Sequence, residues 1–357
     1  MQKKISDLTG LRGLAAFWVF AYHAIPLTAQ LDPSWTWPLR SVATAGYLGV
    51  DLFFALSGFV ISYNYAGAGL HRSATLYGQF IWKRIARIYP AHLAALLFFA
   101  AGLSMYPANF DLSLMGLVKS LTMTQAWAFP AHQVWNPVAW SVSCEWAAYL
   151  LFPLIALAAR RLPPWAAAVG IVCAYAALYV AYRGPWESAP YSFGLQRVAA
   201  SFTAGVLVYE IWRRRDAPLN IIGWFAIVAM IVGASLLDLK MNWAASAAKL
   251  PILGSIVVYA LACATGSLAR AFKRFEYAGC ISYSFYLVHW VPLALAQSLL
   301  SSSGGDRDPL SVYAALGFSL LTAVAMADFF YRYIEEPARR WLMQAMTTRE
   351  AAHAVRL

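Results

Sequence analysis

Apolar segments of membrane length recur along this chain and leave few folds open to it. A helix needs about 20 apolar residues in a row to cross the hydrocarbon core of a bilayer, where its backbone groups can bond only to one another. We therefore predict an all-α fold, a polytopic membrane protein built as a bundle of about ten transmembrane helices. The predicted segments are 10–27, 45–64, 88–105, 138–158, 164–182, 197–212, 220–238, 248–268, 278–300 and 310–332.

The composition agrees with a membrane protein. Hydrophobic residues make up 61% of the 357 residues and charged residues 12%, whereas about a quarter of the residues in an average soluble domain are charged. The net charge of +11 would suggest nucleic acid as the partner of a soluble protein, but the sequence has no basic stripe with interleaved stacking aromatics. We expect the lipid bilayer as a partner, and no nucleic acid.

The basic residues predict the orientation of the helices. An even number of spans leaves both termini on one side of the membrane. Placing the N- and C-termini in the cytoplasm puts 20 of the 27 Lys and Arg residues on the cytoplasmic side. The remainder, which include Arg197, fall in the outer loops. This asymmetry is the one that the positive-inside rule requires.

The chain is predicted to form one transmembrane domain, residues 1–340, followed by a cytoplasmic tail, residues 341–357. We interpret the first apolar segment as a permanent span, because Arg12 and His23 interrupt the apolar core that a signal peptide would have. A shorter apolar run at 112–126 contains a lysine. It is predicted to be an interfacial or re-entrant helix.

Arg12 and His23 are costly side chains for a membrane helix. They are 11 residues apart, which corresponds to about three helical turns and a rise of about 16 Å. They therefore share one face of the first helix, with Arg12 at its cytoplasmic end and His23 in the outer half of the bilayer. A histidine at that depth is expected to face the protein interior or a wet cavity.

Three further ionisable residues are predicted to reach a depth similar to that of His23. Asp51 lies in the second segment, Glu145 in the fourth and His289 in the ninth. We expect these groups to meet in one layer of the bundle. The alternative, that each only hydrogen-bonds to a neighbouring helix, stays open for every one of them.

The remaining ionisable residues of the apolar segments have simpler expected roles. Asp328 lies four residues before Arg332, and we expect the two to form a local ion pair. The other histidines are expected in loops or at helix ends: His71, His92, His132 and His353.

A pair of arginines precedes the third predicted segment, in the stretch WKRIARIYPAH. Arg84 and Arg87 are three residues apart, so they share a helical face on the cytoplasmic side. Arginine is suited to bind phosphate through two parallel hydrogen bonds. From spacing alone, however, positive charge that only sets the topology is the preferred interpretation.

Six stretches resemble the acyltransferase-3 family of membrane acyltransferases, and the similarity covers almost the whole chain. The first, LTGLRGLAAFWVFAYHA, is similar to the family's first span, in which ten residues separate an arginine from a histidine. The others, in chain order, are GYLGVDLFFALSGFVISY, FIWKRIARIYPAH, AWSVSCEWAAYLLFP, ISYSFYLVHWVPL and YIEEPARRW.

The resemblance implies an O-acetyltransferase of the bacterial cytoplasmic (inner) membrane. Such an enzyme would move an acyl group, most often acetyl, from cytosolic acyl-CoA to a hydroxyl of an extracytoplasmic or membrane-associated carbohydrate or glycolipid. Acyl-CoA would be a co-substrate, with no metal and no other cofactor expected. By this resemblance Arg84 and Arg87 would hold donor phosphates, Arg12 would lie at the donor's entry, and His23 would be the catalytic histidine.

These roles suggest a mechanism. Neutral His23 would act as general base on the acceptor hydroxyl. Asp51 or Glu145 would orient its imidazole in a carboxylate–histidine pair. His289 would bind the acceptor or help to stabilise the oxyanion. A covalent acyl-histidine intermediate stays open as a variant.

Two features depart from the family pattern. Trp146 and Ala147 follow Glu145 where the family often has a second acidic residue and a glutamine, so a role that needs a carboxylate pair is in doubt. The chain also stops soon after Arg340, without the SGNH-hydrolase-like domain of some members, so a relay through such a domain would need another protein. The alternatives are a proton-coupled transporter, because intramembrane Asp, Glu and His also build proton relays, and a non-catalytic component of polysaccharide export.

Overall fold

The structure is a computed structural model. It describes residues 6–28, 40–101, 112–127, 135–181, 193–214, 220–236, 243–302 and 308–354. Within these ranges every regular element is a helix, which confirms the predicted all-α class.

The long helices are numbered in chain order. They are α1 (Ser6–His23), α2 (Gly49–Tyr65), α3 (Ala74–Ala101), α4 (Leu114–Leu121), α5 (Trp140–Ala159), α6 (Pro164–Ala181), α7 (Gly194–Trp212), α8 (Asn220–Leu236), α9 (Trp243–Ala262), α10 (Gly266–Lys273), α11 (Glu276–Val288), α12 (Trp290–Ser302), α13 (Pro309–Phe330) and α14 (Glu336–Ala354). A π-helical turn, Tyr331–Glu335, joins α13 to α14. A helical stretch that begins at Arg40 leads through a 3-10 turn into α2.

A described helix overlaps each of the ten predicted segments, but fewer of these helices are long and apolar enough to cross a membrane. Two bent pairs raise the count from four to as many as six if each is one span: α9 with α10, bent by 103°, and α11 with α12, bent by 51°. The count of about ten spans and the side of the termini therefore stay predictions. The four single candidates are Arg40–Tyr65, Ala74–Ala101, Trp140–Ala159 and Pro309–Thr348.

Helix α3 starts earlier than predicted, because the predicted segment begins at residue 88 and the helix begins at Ala74. Hydropathy measures apolarity rather than helicity, and the charged residues that end the apolar run do not end the helix. Arg84 and Arg87 therefore lie inside α3, as their predicted shared helical face requires. At the far end of the chain, α14 crosses the predicted boundary between residues 340 and 341 without a break.

Asp308 is the amino-terminal cap of α13 and lies outside the apolar helix. The carboxylate of Asp308 accepts a hydrogen bond from the backbone N–H of Ser311 at 2.9 Å. Hydrogen bonds from the Ser311 hydroxyl and backbone lower the pKa of Asp308. A carboxylate that caps a helix in this way satisfies one of the free N–H groups of the first turn.

Helices α1 and α11 cross at very short range. A Cβ atom on Gly279 would lie 1.7 Å from the carbonyl oxygen of Thr9, and one on Gly13 would lie 2.8 Å from atoms of Ala278. Small residues permit this approach of two backbones inside a membrane. Thr9 contacts Gly279 and, further along both helices, His23 contacts His289, so the two helices run in the same direction and their carboxyl-terminal ends meet.

Helices α2 and α7 form a second crossing of the same kind. A Cβ atom on Gly58 would lie 2.1 Å from the carbonyl oxygen of Phe202, and one on Gly205 would lie 2.0 Å from that of Ala55. These helices also run in the same direction, because Asp51 contacts Arg197 and, further along both helices, Tyr63 contacts Trp212. The two close crossings bring polar residues of distant segments together in the interior.

Candidate active site

An open cavity lies among five helices, α1, α2, α3, α5 and α11, and it collects several of the predicted site residues. Its empty volume is about 820 Å³, including its opening to solvent. Arg12, Arg84, Arg87 and Glu145 all line it. The three predicted donor-binding arginines, two of them adjacent on α3 and one on α1, therefore face one space.

Arg84 has a hydrogen-bond donor that the described part of the protein does not use. Its Nε–H is buried and has no hydrogen-bond partner among the described residues. One terminal nitrogen lies 3.4 Å from the hydroxyl of Tyr65, which is at the long end of the range for a hydrogen bond. The guanidinium carbon lies 5.4 Å from the Tyr65 ring centre and 5.7 Å from that of Phe80. These rings hold the side chain beside the cavity.

Arg87 is bound differently, because it forms an ion pair with Glu335. Glu335 is fully buried, and its second carboxylate oxygen accepts a hydrogen bond from Ser284 at 2.6 Å. The carboxylate is thus satisfied on both oxygens. Glu335 lies in the π-helical turn, an irregularity that recurs at functional sites.

Arg12 also lines the cavity. Arg87 acts on it as a like charge, while Glu145 and Glu335 act as opposite charges. Glu145 accepts a hydrogen bond from the Tyr149 hydroxyl at 2.5 Å. Both of these residues line the cavity, so Glu145 belongs to the arginine-lined space.

His23 and His289 form a contact pair at the adjacent ends of α1 and α11. The Nδ1 of His23 lies 3.0 Å from the Nε2 of His289. His289 is fully buried, and its Nδ1 lies 2.8 Å from the carbonyl oxygen of Tyr286 and 3.2 Å from that of Phe285. His23 is half-buried.

Among the described residues, neither histidine lines the cavity. Tyr286 contacts both the cavity and the histidine pair. It lines the cavity, and its ring centre is 5.8 Å from that of His289. Its hydroxyl accepts a hydrogen bond from Ser141 at 2.8 Å and donates one to the Val138 carbonyl at 3.0 Å. Tyr286 therefore forms the wall between the arginine-lined cavity and the histidine pair.

Asp51 does not reach His23, contrary to the prediction that the four ionisable groups meet in one layer. Its carboxylate is bound by Arg197 on α7 at 2.5 Å and 3.3 Å, and by Ser201 at 3.1 Å. Arg197 is fully buried, so its assignment to an outer loop was wrong. Close packing of α2 on α7 turns Asp51 towards this partner.

The predicted carboxylate–histidine pair is therefore not present in this structure, since Asp51 bonds to Arg197 and Glu145 bonds to Tyr149. The sequence contained a pattern that could have predicted Arg197 as an interior residue, because Arg197 and Ser201 are four residues apart on one helical face. Glu335 gave a weaker signal, as one of two adjacent glutamates in a basic stretch.

Two smaller predictions have opposite outcomes. Asp328 and Arg332 form the expected ion pair at 2.9 Å, which confirms that prediction. His92 is not at a helix end, as was expected, but is buried within α3, with its Nε2 2.8 Å from the Ser120 carbonyl oxygen. His132 lies outside the described residues.

Comparison with known proteins matches residues 5–328 to a family described as an acyltransferase domain. The acyltransferase MdmB of Streptomyces mycarofaciens is 28% identical, with 95% of this chain and 92% of that protein covered. The peptidoglycan O-acetyltransferase OatA of Listeria monocytogenes is 23% identical, and the match covers 95% of this chain but only 56% of OatA. The putative membrane-bound transacylase BcsY of Komagataeibacter xylinus is 25% identical over 82% of this chain and 74% of BcsY. No solved structure matches.

Proposed function

The chain belongs to the acyltransferase-3 family and is an O-acyltransferase with multi-pass membrane character, and we propose that its donor is cytosolic acyl-CoA, with acetyl-CoA preferred. The acceptor in this proposal is a hydroxyl of an extracytoplasmic or membrane-associated carbohydrate. The location in this proposal is the cytoplasmic membrane of a bacterium, with about ten spans and both termini inside. One observation carries the proposal, namely that Arg12, Arg84 and Arg87 face a single cavity.

The arginine-lined cavity suits the phosphate end of the donor. Phosphate oxygens accept charge-assisted hydrogen bonds from guanidinium groups, often two at a time. The buried Nε–H of Arg84 is a donor with no partner among the described residues, and a phosphate would satisfy it. Arg12 adds a further positive charge to the lining of the same cavity, from α1. In this arrangement the anionic head of the donor stays at the cytoplasmic end.

His23 is the proposed base. The 11 residues from Arg12 to His23 span about 16 Å of helix, a length that a thin, extended acyl-carrying arm can bridge. The arm would pass Tyr286, whose ring contacts both the cavity and His289. The acceptor hydroxyl would then lose its proton to His23 as its oxygen attacks the thioester carbon.

The acceptor class rests on the resemblance and on the relatives. The name of OatA states peptidoglycan as its acceptor and acetyl as its acyl group, and that of MdmB states acyl transfer alone. For this chain we propose a carbohydrate hydroxyl as the acceptor class. We disfavour a transporter because a proton relay gives no reason for phosphate-suited arginines that line one cavity.

The proposal is tested in proteoliposomes that contain the purified protein. Acetyl-CoA with a labelled acetyl group is added outside, and soluble oligosaccharides are enclosed or added as acceptors. The expected result is acetylated sugar and free coenzyme A in equal amounts, with the His71→Gln variant as an active control, since His71 is exposed and outside the site. Proton-coupled solute flux without acetyl transfer would instead identify a transporter and overturn the proposal.

A further inference from the structure

The distances around the histidine pair indicate which ring nitrogens carry a proton. A carbonyl oxygen can accept a hydrogen bond but cannot donate one. Two carbonyl oxygens, of Tyr286 and Phe285, lie next to Nδ1 of His289 at 2.8 Å and 3.2 Å. This nitrogen must therefore carry the proton, because a lone pair there would face two other lone pairs.

The tautomer of His289 determines that of His23. A neutral imidazole has one N–H and one acceptor nitrogen, so Nε2 of neutral His289 is an acceptor. The atom 3.0 Å away is Nδ1 of His23, which must then be the donor. The second ring nitrogen of neutral His23, Nε2, is left with the lone pair.

We propose that His289 is a positioning residue that holds His23 in the tautomer whose Nε2 is the proton acceptor. This inference rests on the proposed function, in which His23 is the general base. It replaces the expected role of His289 in acceptor binding or oxyanion stabilisation. Both of its ring nitrogens are already engaged by the protein, so His289 has no N–H to offer a substrate.

The surroundings of the pair favour a neutral partner over a carboxylate. His289 is fully buried, and its ring is stacked against Phe285 with ring centres 5.8 Å apart. The Phe20 ring lies 6.3 Å from it on another side, and the Tyr22 ring lies 5.2 Å from that of His23. Burial of an isolated carboxylate among such rings is costly, whereas a neutral imidazole accepts the same hydrogen bond without a buried charge.

The proton path in the reaction is then defined atom by atom. The acceptor O–H gives its proton to Nε2 of His23 while the oxygen forms a bond to the thioester carbon. The carbon–sulfur bond breaks, and the leaving sulfur takes that proton from Nε2. Throughout, the Nδ1–H of His23 stays bonded to His289, which neither gains nor loses a proton.

The inference is tested first by solid-state ¹⁵N NMR on the full chain in lipid, with all histidine rings labelled. Protonated and lone-pair ring nitrogens have well separated shifts, and the His23 signals are assigned as those lost in the His23→Gln variant. The expected result is N–H at Nδ1 and a lone pair at Nε2. In His289→Phe, where the acceptor is removed, the Nε2–H tautomer of His23 should appear. A lone pair on Nδ1 in the unmodified protein, or an unchanged His23 tautomer in His289→Phe, would overturn the inference.

The second measurement compares His289→Phe with His289→Gln, whose amide oxygen can occupy the place of the lost Nε2. His289→Phe should lower kcat roughly 10²- to 10⁴-fold, the range of a lost acid–base contribution, with the dissociation constant of acetyl-CoA unchanged. The kcat of His289→Gln should be at least tenfold higher than that of His289→Phe. Equal kcat in the two variants would mean that the acceptor atom does not matter. Because the NMR readout needs no turnover, a wrong tautomer and an absent transferase activity are distinguishable outcomes.

Discussion

Arg87 and Glu335 are joined in an ion pair whose carboxylate is entirely excluded from solvent. Arg84, three residues earlier on α3, has no such partner among the described residues and keeps a buried N–H free. The two arginines look equivalent in the sequence, but the structure separates them into one that is held by the protein and one that is available to a ligand.

Replacement of Arg84 should therefore weaken donor binding without unfolding the protein. Arg84→Ala removes a charge-assisted hydrogen bond, which contributes about 1.5–3 kcal/mol, so the dissociation constant of acetyl-CoA should rise roughly 10- to 100-fold. Equilibrium binding of labelled acetyl-CoA to the purified protein measures it. Arg84→Lys keeps the charge without the planar fork and should give an intermediate constant. Unchanged affinity in Arg84→Ala would mean that this charge only sets the topology.

Replacement of Arg87 should mainly reduce stability. Arg87→Ala leaves Glu335 buried without its partner, and loss of one member of a buried pair costs roughly 3–5 kcal/mol. The double variant Arg87→Gln with Glu335→Gln removes both charges and should recover most of the loss. Unfolding in detergent, followed by circular dichroism, provides the comparison. If the single variant were as stable as the unmodified protein, the pair would have no structural role.

The pair of Asp51 and Arg197 offers a test between a structural and a catalytic carboxylate. Asp51→Leu should lower stability by roughly 3–5 kcal/mol, because Arg197 keeps a buried charge. Asp51→Leu combined with Arg197→Met should restore both stability and acetyl transfer, since two apolar side chains replace the two charges. A double variant that folds normally but transfers no acetyl group would show that Asp51 has a catalytic role.

His23→Gln should abolish transfer while the donor still binds. Loss of a general base lowers kcat roughly 10²- to 10⁴-fold, and acetyl-CoA affinity should stay unchanged because the arginine-lined cavity is separate from His23. Rapid quenching with labelled acetyl-CoA also distinguishes direct transfer from a mechanism with an acyl-histidine intermediate. Label that remains on the unmodified protein before acceptor is added would identify an acyl-histidine and exclude direct transfer.

The crossing of α1 and α11 predicts a large effect from a single methyl group. Gly279→Ala would place a carbon 1.7 Å from the Thr9 carbonyl oxygen, so the helices must separate and the His23–His289 contact should lengthen. Stability and kcat should both fall. Gly317→Ala is the matched control, because nothing lies within 4 Å of the added atom. Equal unfolding temperatures in the two variants would argue against the close crossing.

Much of the fold was predictable because apolar length and the helical period leave a strong signal in the sequence. A helix overlaps each predicted segment, although the count of true spans stays a prediction. One error arose because a charged residue, Arg197, was expected in a loop. Arg197 lies inside α7, because a buried arginine with suitable neighbours does not stop helix formation.

The candidate site was predictable only in part. Seven site residues were predicted, and four of them line one cavity, namely Arg12, Arg84, Arg87 and Glu145. The sequence did not reveal which of these side chains bond to one another. Depth along a helix follows from residue counting, but the direction of a side chain around the helix depends on which neighbour packs there.

The contacts that decide the site join distant parts of the chain. Asp51 meets Arg197 across 146 residues, and His23 meets His289 across 266 residues. Both pairs depend on glycine crossings whose partners were unknown before the helices were placed. Aromatic rings, hydroxyl groups and a second histidine fill positions for which the sequence alone suggested carboxylates.

The parallel pairing of α1 with α11 has a consequence for biosynthesis. Translation proceeds from α1 to α11, and the ring that contacts the histidine of α1 belongs to residue 289. A nascent chain therefore carries His23 without this partner until α11 has been made. A chain that stops short of α11 would have Arg12 and Arg84 but would lack the ring that contacts His23.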